Sequence, residues 1–275
     1  MDYYQSKMKE IKRNYALAVE KNDYDGVHDL RVDLKRMKAF FNLVESINRD
    51  FKAKKNFAAF KKIAKSICGL RDAQVQMKLV KRIMKTFDLD VGAYISYLKK
   101  TEADNYKSFR VFSKTDPIGK LKENRKIILQ SLKVMSPVRA ETKARGRFIN
   151  LRNNLILLNS ERDLREDMLH KVRILSKETH FTIEIIHRCF HIWKDRNIFI
   201  SEIEKVHKLL GDWHDLDVGI KNLNDFTAHM DENISVEPYN LLASHMSEEK
   251  EKMITQFRKS FDEFTQTALL YEPQT

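Results

Sequence analysis

The chain has 275 residues, 51 Lys plus Arg against 39 Asp plus Glu for a formal net charge of +12, and only seven Gly and four Pro. That length buries a substantial core without metal or disulfide staples. So few turn-forming residues argue against a β-sandwich or barrel, and the lack of any apolar run of about 18 to 20 residues argues against a membrane span. The positive balance favours a polyanionic partner, such as nucleic acid, inorganic polyphosphate, anionic lipid or an acidic protein, and does not choose among them.

Helical periodicity fills nearly every window, and the spacing of apolar residues predicts helices over 2–21, 24–47, 51–69, 72–87, 92–112, 118–134, 140–159, 165–192, 198–211, 214–231 and 237–270. Asn22-Asp23, Asp116-Pro117, Ser136-Pro137 and Glu237-Pro238 punctuate them. The first segment, MDYYQSKMKEIKRNY, holds no apolar stretch of the kind a signal peptide requires, and the two cysteines, Cys68 and Cys189, lack metal-type spacing. A reducing cytoplasm is therefore the expected compartment.

The second helix has two opposed faces. At about 100° per residue, Leu30, Leu34, Met37, Phe41 and Val44 fall on one side and His28, Arg31, Lys35 and Lys38 on the other. On the next segment Lys54, Lys61 and Lys65 line up, away from Phe57, Phe60 and Ile67. Farther on, SKTDP at 113–117 is the expected boundary between a first half, 1–114, and a second, 117–275, of a single domain spanning 1–275.

The second half repeats the first. HDLRVDLK at 28–35 returns 142 residues later as HKVRILSK at 170–177, matching His28, Arg31 and Lys35 with His170, Arg173 and Lys177. ICGLRDAQV at 67–75 is answered by LGDWHDLDV at 210–218, which aligns Asp72 with Asp215 and the preceding Arg71 with His214. His, Arg and Lys at i, i+3 and i+7 stack on one helix face over two turns, where like charges repel. Such a row is either a solvated face, neutralised locally, or a seat for an external anion. In the second copy His180 and Glu184 continue the face, so one acid joins it.

These paired stretches, HDLRVDLKRMK and HKVRILSKETHFTIE, each followed by a (R/H)-D-x-x-V element, resemble the two signature regions of the CHAD domain, the conserved histidine α-helical domain, over essentially the whole chain. The resemblance implies an all-α fold, an internally duplicated pair of helical bundles with pseudo-twofold symmetry around a basic cleft, which binds inorganic polyphosphate without a cofactor. Carried over by position, His28, Arg31, Lys35, Arg36 and Lys38 belong to the first signature, and His170, Arg173, Lys177 and Glu184 to the second. Lys65, Arg71, His180 and His214 complete the candidate binding set. Arg and Lys would hold phosphoryl oxygens, His28 and His170 would donate hydrogen bonds, and Asp72 and Asp215 would orient side chains or cap helices. The ExExK signature of a triphosphate-tunnel catalytic neighbour is missing: EIEKV at 202–206 lacks the final Lys. Polyphosphate granules are a candidate place of association in the cytoplasm.

Two rival classes remain. His187 and His191 at i, i+4, with Asp25, Asp167, Glu184 and Glu204 each three residues before a His, suggest a di-iron-like bundle, but the cations beside His28 oppose a divalent metal. Asp25 and Asp167 read better as first-turn residues favoured by the helix dipole. A nonspecific nucleic-acid-binding helical protein is the other alternative, although no aromatics interleave with the cationic row. No phosphate-binding loop or nucleophile elbow is present, Cys189 in IIHRCF is expected to be buried, and Trp193 and Trp213 to be core or rim aromatics, so no catalysis is expected.

Overall fold

The computed structural model describes residues 2–133, 136–161, 165–193, 196–231 and 234–270. Among them there is no strand. The helices are α1 (Asp2–Lys21), α2 (Tyr24–Ile47), α3 (Ala53–Asn56), α4 (Ala58–Ser66), α5 (Cys68–Phe87), α6 (Gly92–Ser113), α7 (Lys122–Lys133), α8 (Pro137–Ser160), α9 (Glu166–Phe190), α10 (Arg196–Thr227) and α11 (Glu237–Leu270), with a 3-10 turn at Gly119–Leu121. No helix among the described residues is long and apolar enough to cross a membrane.

Helix α2 is the central element. It packs on α1, α8 and α9, and buries Val27, Leu30, Leu34, Met37, Phe41 and Val44. Asp23 starts it: the residue is extended, and its Oδ1 accepts the Gly26 N–H at 2.6 Å, satisfying one of the orphan donors of the first turn. Gly26 has to be glycine because a Cβ there would stand 2.7 Å from the Leu17 Cβ, so α1 and α2 cross in direct backbone contact. Asp25 lies in the first turn of α2 and Asp167 in that of α9, as the dipole argument expects. Replacing Asp23 by Ala should cost about 1 kcal/mol, read as a lower denaturation midpoint with an unchanged denaturant slope. A shift indistinguishable from zero would show that α2 does not depend on its cap.

The expected segments are redrawn at three places. The helix over 51–69 is broken at Phe57 and again at Ile67, so Lys54 lies on α3, apart from Lys61 and Lys65 on α4. The break lets Phe57 and Phe60 close on Phe41, whose ring also meets Phe51; all three meet it edge-on at centroid distances of 5.3 to 6.0 Å. Gly211 does not stop a helix, and 198–211 and 214–231 are one element, α10. With Pro137 in its first turn and Ser136 accepting the Arg139 N–H at 3.3 Å, α8 begins directly at the expected break rather than at 140.

One large apolar cluster runs from α1, α2 and α4 through α8, α9 and α10 to the end of α11. A smaller one joins Val80 and Ile83 of α5, Tyr94 and Leu98 of α6, Leu216 and Leu223 of α10 and Leu242 and Met246 of α11. Both clusters draw on residues from either side of SKTDP. Trp193 and Trp213 are buried. Cys189, by contrast, is exposed: it follows the inward-facing Ile185 by four residues, but it lies in the last turn of α9, where Arg188 and His191 are exposed too, and desolvation still raises its thiol.

Candidate functional site

Helices α2 and α9 contribute to one cavity of about 170 Å³, lined by Lys35, Lys38, Ala39 and Asn42 from α2 and by Arg173, Ile174, Lys177, Glu178 and Phe181 from α9. His28 and His170 lie the same number of residues into their helices, so Arg31 and Arg173, and Lys35 and Lys177, occupy matching turns. A second cavity of about 330 Å³ shares Lys35 and Lys38 with the first and adds Arg31, Lys61, Lys65 and Cys68. Of the expected residues, Arg31, Lys35, Lys38, Lys65, Arg173 and Lys177 are thus brought onto two neighbouring cavities. Lys61 joins them; its place four residues before Lys65 on the same face was already legible.

The charges in this region are largely unneutralised. Arg31 Nη1 donates to Asp72 Oδ1 at 2.9 Å and to the Cys68 carbonyl at 3.2 Å. The side chains of Lys35, Lys38, Lys61, Lys65, Arg173 and Lys177 make no hydrogen bond or ion pair with the described residues, and the Arg173 Nε is buried without a partner. Glu178, the one acid lining the first cavity, is occupied by Arg147 and accepts from Asn42 Nδ2 at 3.1 Å.

Crowding by protein mass and by like charge shows in the proton affinities. Lys177 is pushed down to about 7, first by desolvation and then by Lys35 and Arg173, with Asp215 opposing. Lys35 is pushed down to about 8 by desolvation, Arg31 and Arg173, against Asp215 and Asp72. Lys35 is nonetheless exposed, lining both cavities rather than lying inside the protein. Arg173 is also lowered, chiefly by desolvation, and Asp215 beside it is raised by the same cause.

The remaining candidates lie around or behind these cavities. His28 is exposed, and desolvation and Arg71 hold its imidazole below the usual range. Arg71 stacks over Tyr24 at 4.4 Å and lines a separate cavity with Asp212 and Asp215. His170 and His214 face each other at 5.9 Å, and desolvation, Arg173 and His170 press His214 down to about 4. Arg36 is not on either cavity: one residue beyond Lys35, it turns about 100° away, towards Glu184 at 3.5 Å and over Phe181 at 5.4 Å. His180 is buried at 4% exposure, its Nδ1 sharing a hydrogen bond with His207 Nε2 at 2.9 Å. Its Nε2 stands 3.5 Å from Glu184 and 3.4 Å from Glu204, misaligned for a hydrogen bond with either.

The di-iron-like alternative gains no geometric support. Among the described residues no group of three or more His, Cys, Asp or Glu is placed to hold a metal ion. His191 caps α9 in the left-handed region, and the His187 Nδ1–H donates to the Ile192 carbonyl at 2.8 Å.

No curated protein matches the chain. In the overall fold it is similar to the crystal structure of the CHAD domain from the plant Ricinus communis, with a TM-score of 0.72 at 13% identity, covering 93% of this chain and 88% of that one. It is similar also to PptA from Streptomyces chartreusis, with a TM-score of 0.64 at 13% identity, covering 94% and 96%. At this identity the likeness is one of fold. A family model described as the CHAD domain matches residues 3–224, well over half of the sequence, and the chain belongs to the CHAD-domain family.

Proposed function

We propose that this protein binds inorganic polyphosphate, without catalysing a reaction on it, in a basic cleft running from α4 across α2 to α9. In this reading α2 and α9 are the matching helices of an internal duplication related by a pseudo-twofold axis. The observation that carries it is the cavity to which α2 brings Lys35 and Lys38 and α9 brings Arg173 and Lys177, none of them in an ion pair with the described residues. A phosphate polymer offers anionic oxygens at every unit, so one chain can satisfy cations from three helices at once while releasing its own counterions.

The fold gains nothing from these lysines. Their proton affinities are lowered on folding, so between about 10 and about 7 the unfolded chain binds more protons, and the free protein loses stability as pH falls through that window. An external polyanion reverses the balance. It favours both ammonium forms, so binding takes up protons, and affinity falls as pH rises from about 6 to about 9, through the values near 7 and 8 of Lys177 and Lys35.

Calorimetric titration with polyphosphate of tens of units and with single-stranded RNA of equal charge, at matched salt and at two pH values, tests both statements. Polyphosphate should bind about tenfold more tightly than RNA, or about 1.4 kcal/mol, and more tightly at the lower pH with net proton uptake. Equal affinities would reduce the site to a generic basic surface. Preference for RNA would favour the nucleic-acid reading, and a pH-independent affinity would remove the two lysines from the contact.

A further inference from the structure

The cavity between α2 and α9 holds a lysine whose surroundings suit covalent chemistry as well as charge pairing. We propose that Lys177 is a modification site, acylated by small acyl phosphates whose phosphoryl group is held by Arg173 and Lys35. The inference needs the cavity to hold a phosphoryl group, and does not need polyphosphate to be its ligand.

Three features carry it. Lys177 is half-buried and has no partner among the described residues, so none of them ties up its amine as Asp217 and Glu166 do that of Lys250. Arg173, one turn before it, and Lys35 across the cavity supply cations for a phosphoryl group, while Ile174 and Phe181 supply an apolar wall for a short acyl chain. Finally, the surroundings of the amine favour its neutral form, first by desolvation and then by the balance of nearby charge. Arg31 and Lys35 on α2 and Arg173 on its own helix lower its proton affinity, Asp215 on α10 opposes them, and His207, His214 and Asp212 on α10 also feel its charge. With a value near 7, most of Lys177 is a free amine at pH 7.5, against about one in a thousand for an ordinary lysine. A low-pKa group is also a weaker nucleophile, but, as thiols show, that offsets only part of the gain.

In the reaction the Lys177 Nζ lone pair attacks the acyl carbon, and the bond from that carbon to the phosphate oxygen breaks. Phosphate leaves with the bond's electron pair and takes the proton shed by nitrogen, leaving an amide and hydrogen phosphate. The amide carries no charge, so the modification removes one cation from the cavity and weakens its hold on any polyanion.

The test uses the unaltered 275-residue chain, acetyl phosphate as the probe, and mass-spectrometric rates at individual lysines. Lys177 should be acetylated about tenfold faster or more at pH 7.5 than Lys99 and Lys100, which are exposed on α6. Its rate should stop rising near pH 8, where Lys177 is already a free amine and Lys35 begins to lose the charge that holds the phosphoryl group, while theirs still climbs about tenfold per unit. Excess inorganic phosphate should slow Lys177 and leave the two α6 lysines unaffected. Even acetylation across exposed lysines, a Lys177 profile parallel to theirs, or indifference to inorganic phosphate would each overturn the proposal. Selective, phosphate-sensitive acetylation upholds it whether or not polyphosphate protects Lys177; lack of such protection would count only against the polyphosphate reading.

Discussion

The double substitution Arg31→Ala and Arg173→Ala is expected to weaken polyphosphate binding by about 3 kcal/mol, roughly a hundredfold, since hydrogen bonds to charged groups contribute about 1.5 kcal/mol or more each. Removing the same number of charges at Lys99 and Lys100, which are exposed and make no ion pair, should cost far less, because at physiological salt exposed charges beyond about 8 Å are largely screened. The two arginines do not act alike. Arg31 is held by Asp72 at 2.9 Å, so deleting it both removes a cation and leaves a bare carboxylate beside the cavity that Arg31 lines. Adding Asp72→Asn to Arg31→Ala should therefore recover part of the loss, while no equivalent hydrogen-bonded carboxylate is uncovered by Arg173→Ala. Circular dichroism guards against unfolding. Equal losses in the arginine and α6 double variants would mean that only net charge matters, and the repeated motif would have no special role.

Asp33→Ala is expected to destabilise the fold by about 3 kcal/mol, the lower end of the range for breaking a buried ion pair. Asp33 lies on α2 between the apolar positions and is 3% exposed; its Oδ1 accepts from Lys7 Nζ at 3.3 Å and its Oδ2 from Asn14 Nδ2 at 2.9 Å. Lys7 and Asn14 on α1 are equally buried. Without the carboxylate, Lys7 keeps Glu10, but Asn14 loses a partner and the ammonium loses half its compensation. Asp33→Asn, which preserves an oxygen acceptor, should cost less. Denaturant midpoints with unchanged slopes would measure both, and a loss below about 1 kcal/mol for the alanine variant would show that water replaces the carboxylate at this interface.

Much of the architecture could be read directly from the residues. The apolar stripe Leu30, Leu34, Met37, Phe41, Val44 is the buried face of α2, and the break at Asn22-Asp23 is its cap. These features follow from helical periodicity and from local hydrogen bonds spanning a few residues. Where a break depended on packing, periodicity could not find it. The turn at Phe57 exists because two rings close on Phe41, and Gly211 is passed over because the helix has partners on both sides of it. Cys189 is exposed for a related reason: periodicity places it on the face of Ile185, and does not show that the last turn of α9 is less covered than the turns before it.

For the candidate site, residue order alone supplies the inventory: which residues carry charge, at what spacing, and that His, Arg and Lys recur in one order on two helices. Their company depends on the packing of the helices. Arg36 and Lys38 stand in the same signature, yet one turns to Glu184 and the other to the cavity; His180 continues the second row along the helix, yet pairs with His207 in the interior. Asp33, between the two faces of α2, was indistinguishable from a surface acid until α1 placed Lys7 and Asn14 against it. The reason is that helical spacing fixes direction about one axis, whereas desolvation and Coulomb interaction depend on what other elements bring within a few ångströms. Thus Lys35 lowers the proton affinity of Lys177, 142 residues away in the chain, because α2 and α9 pack together.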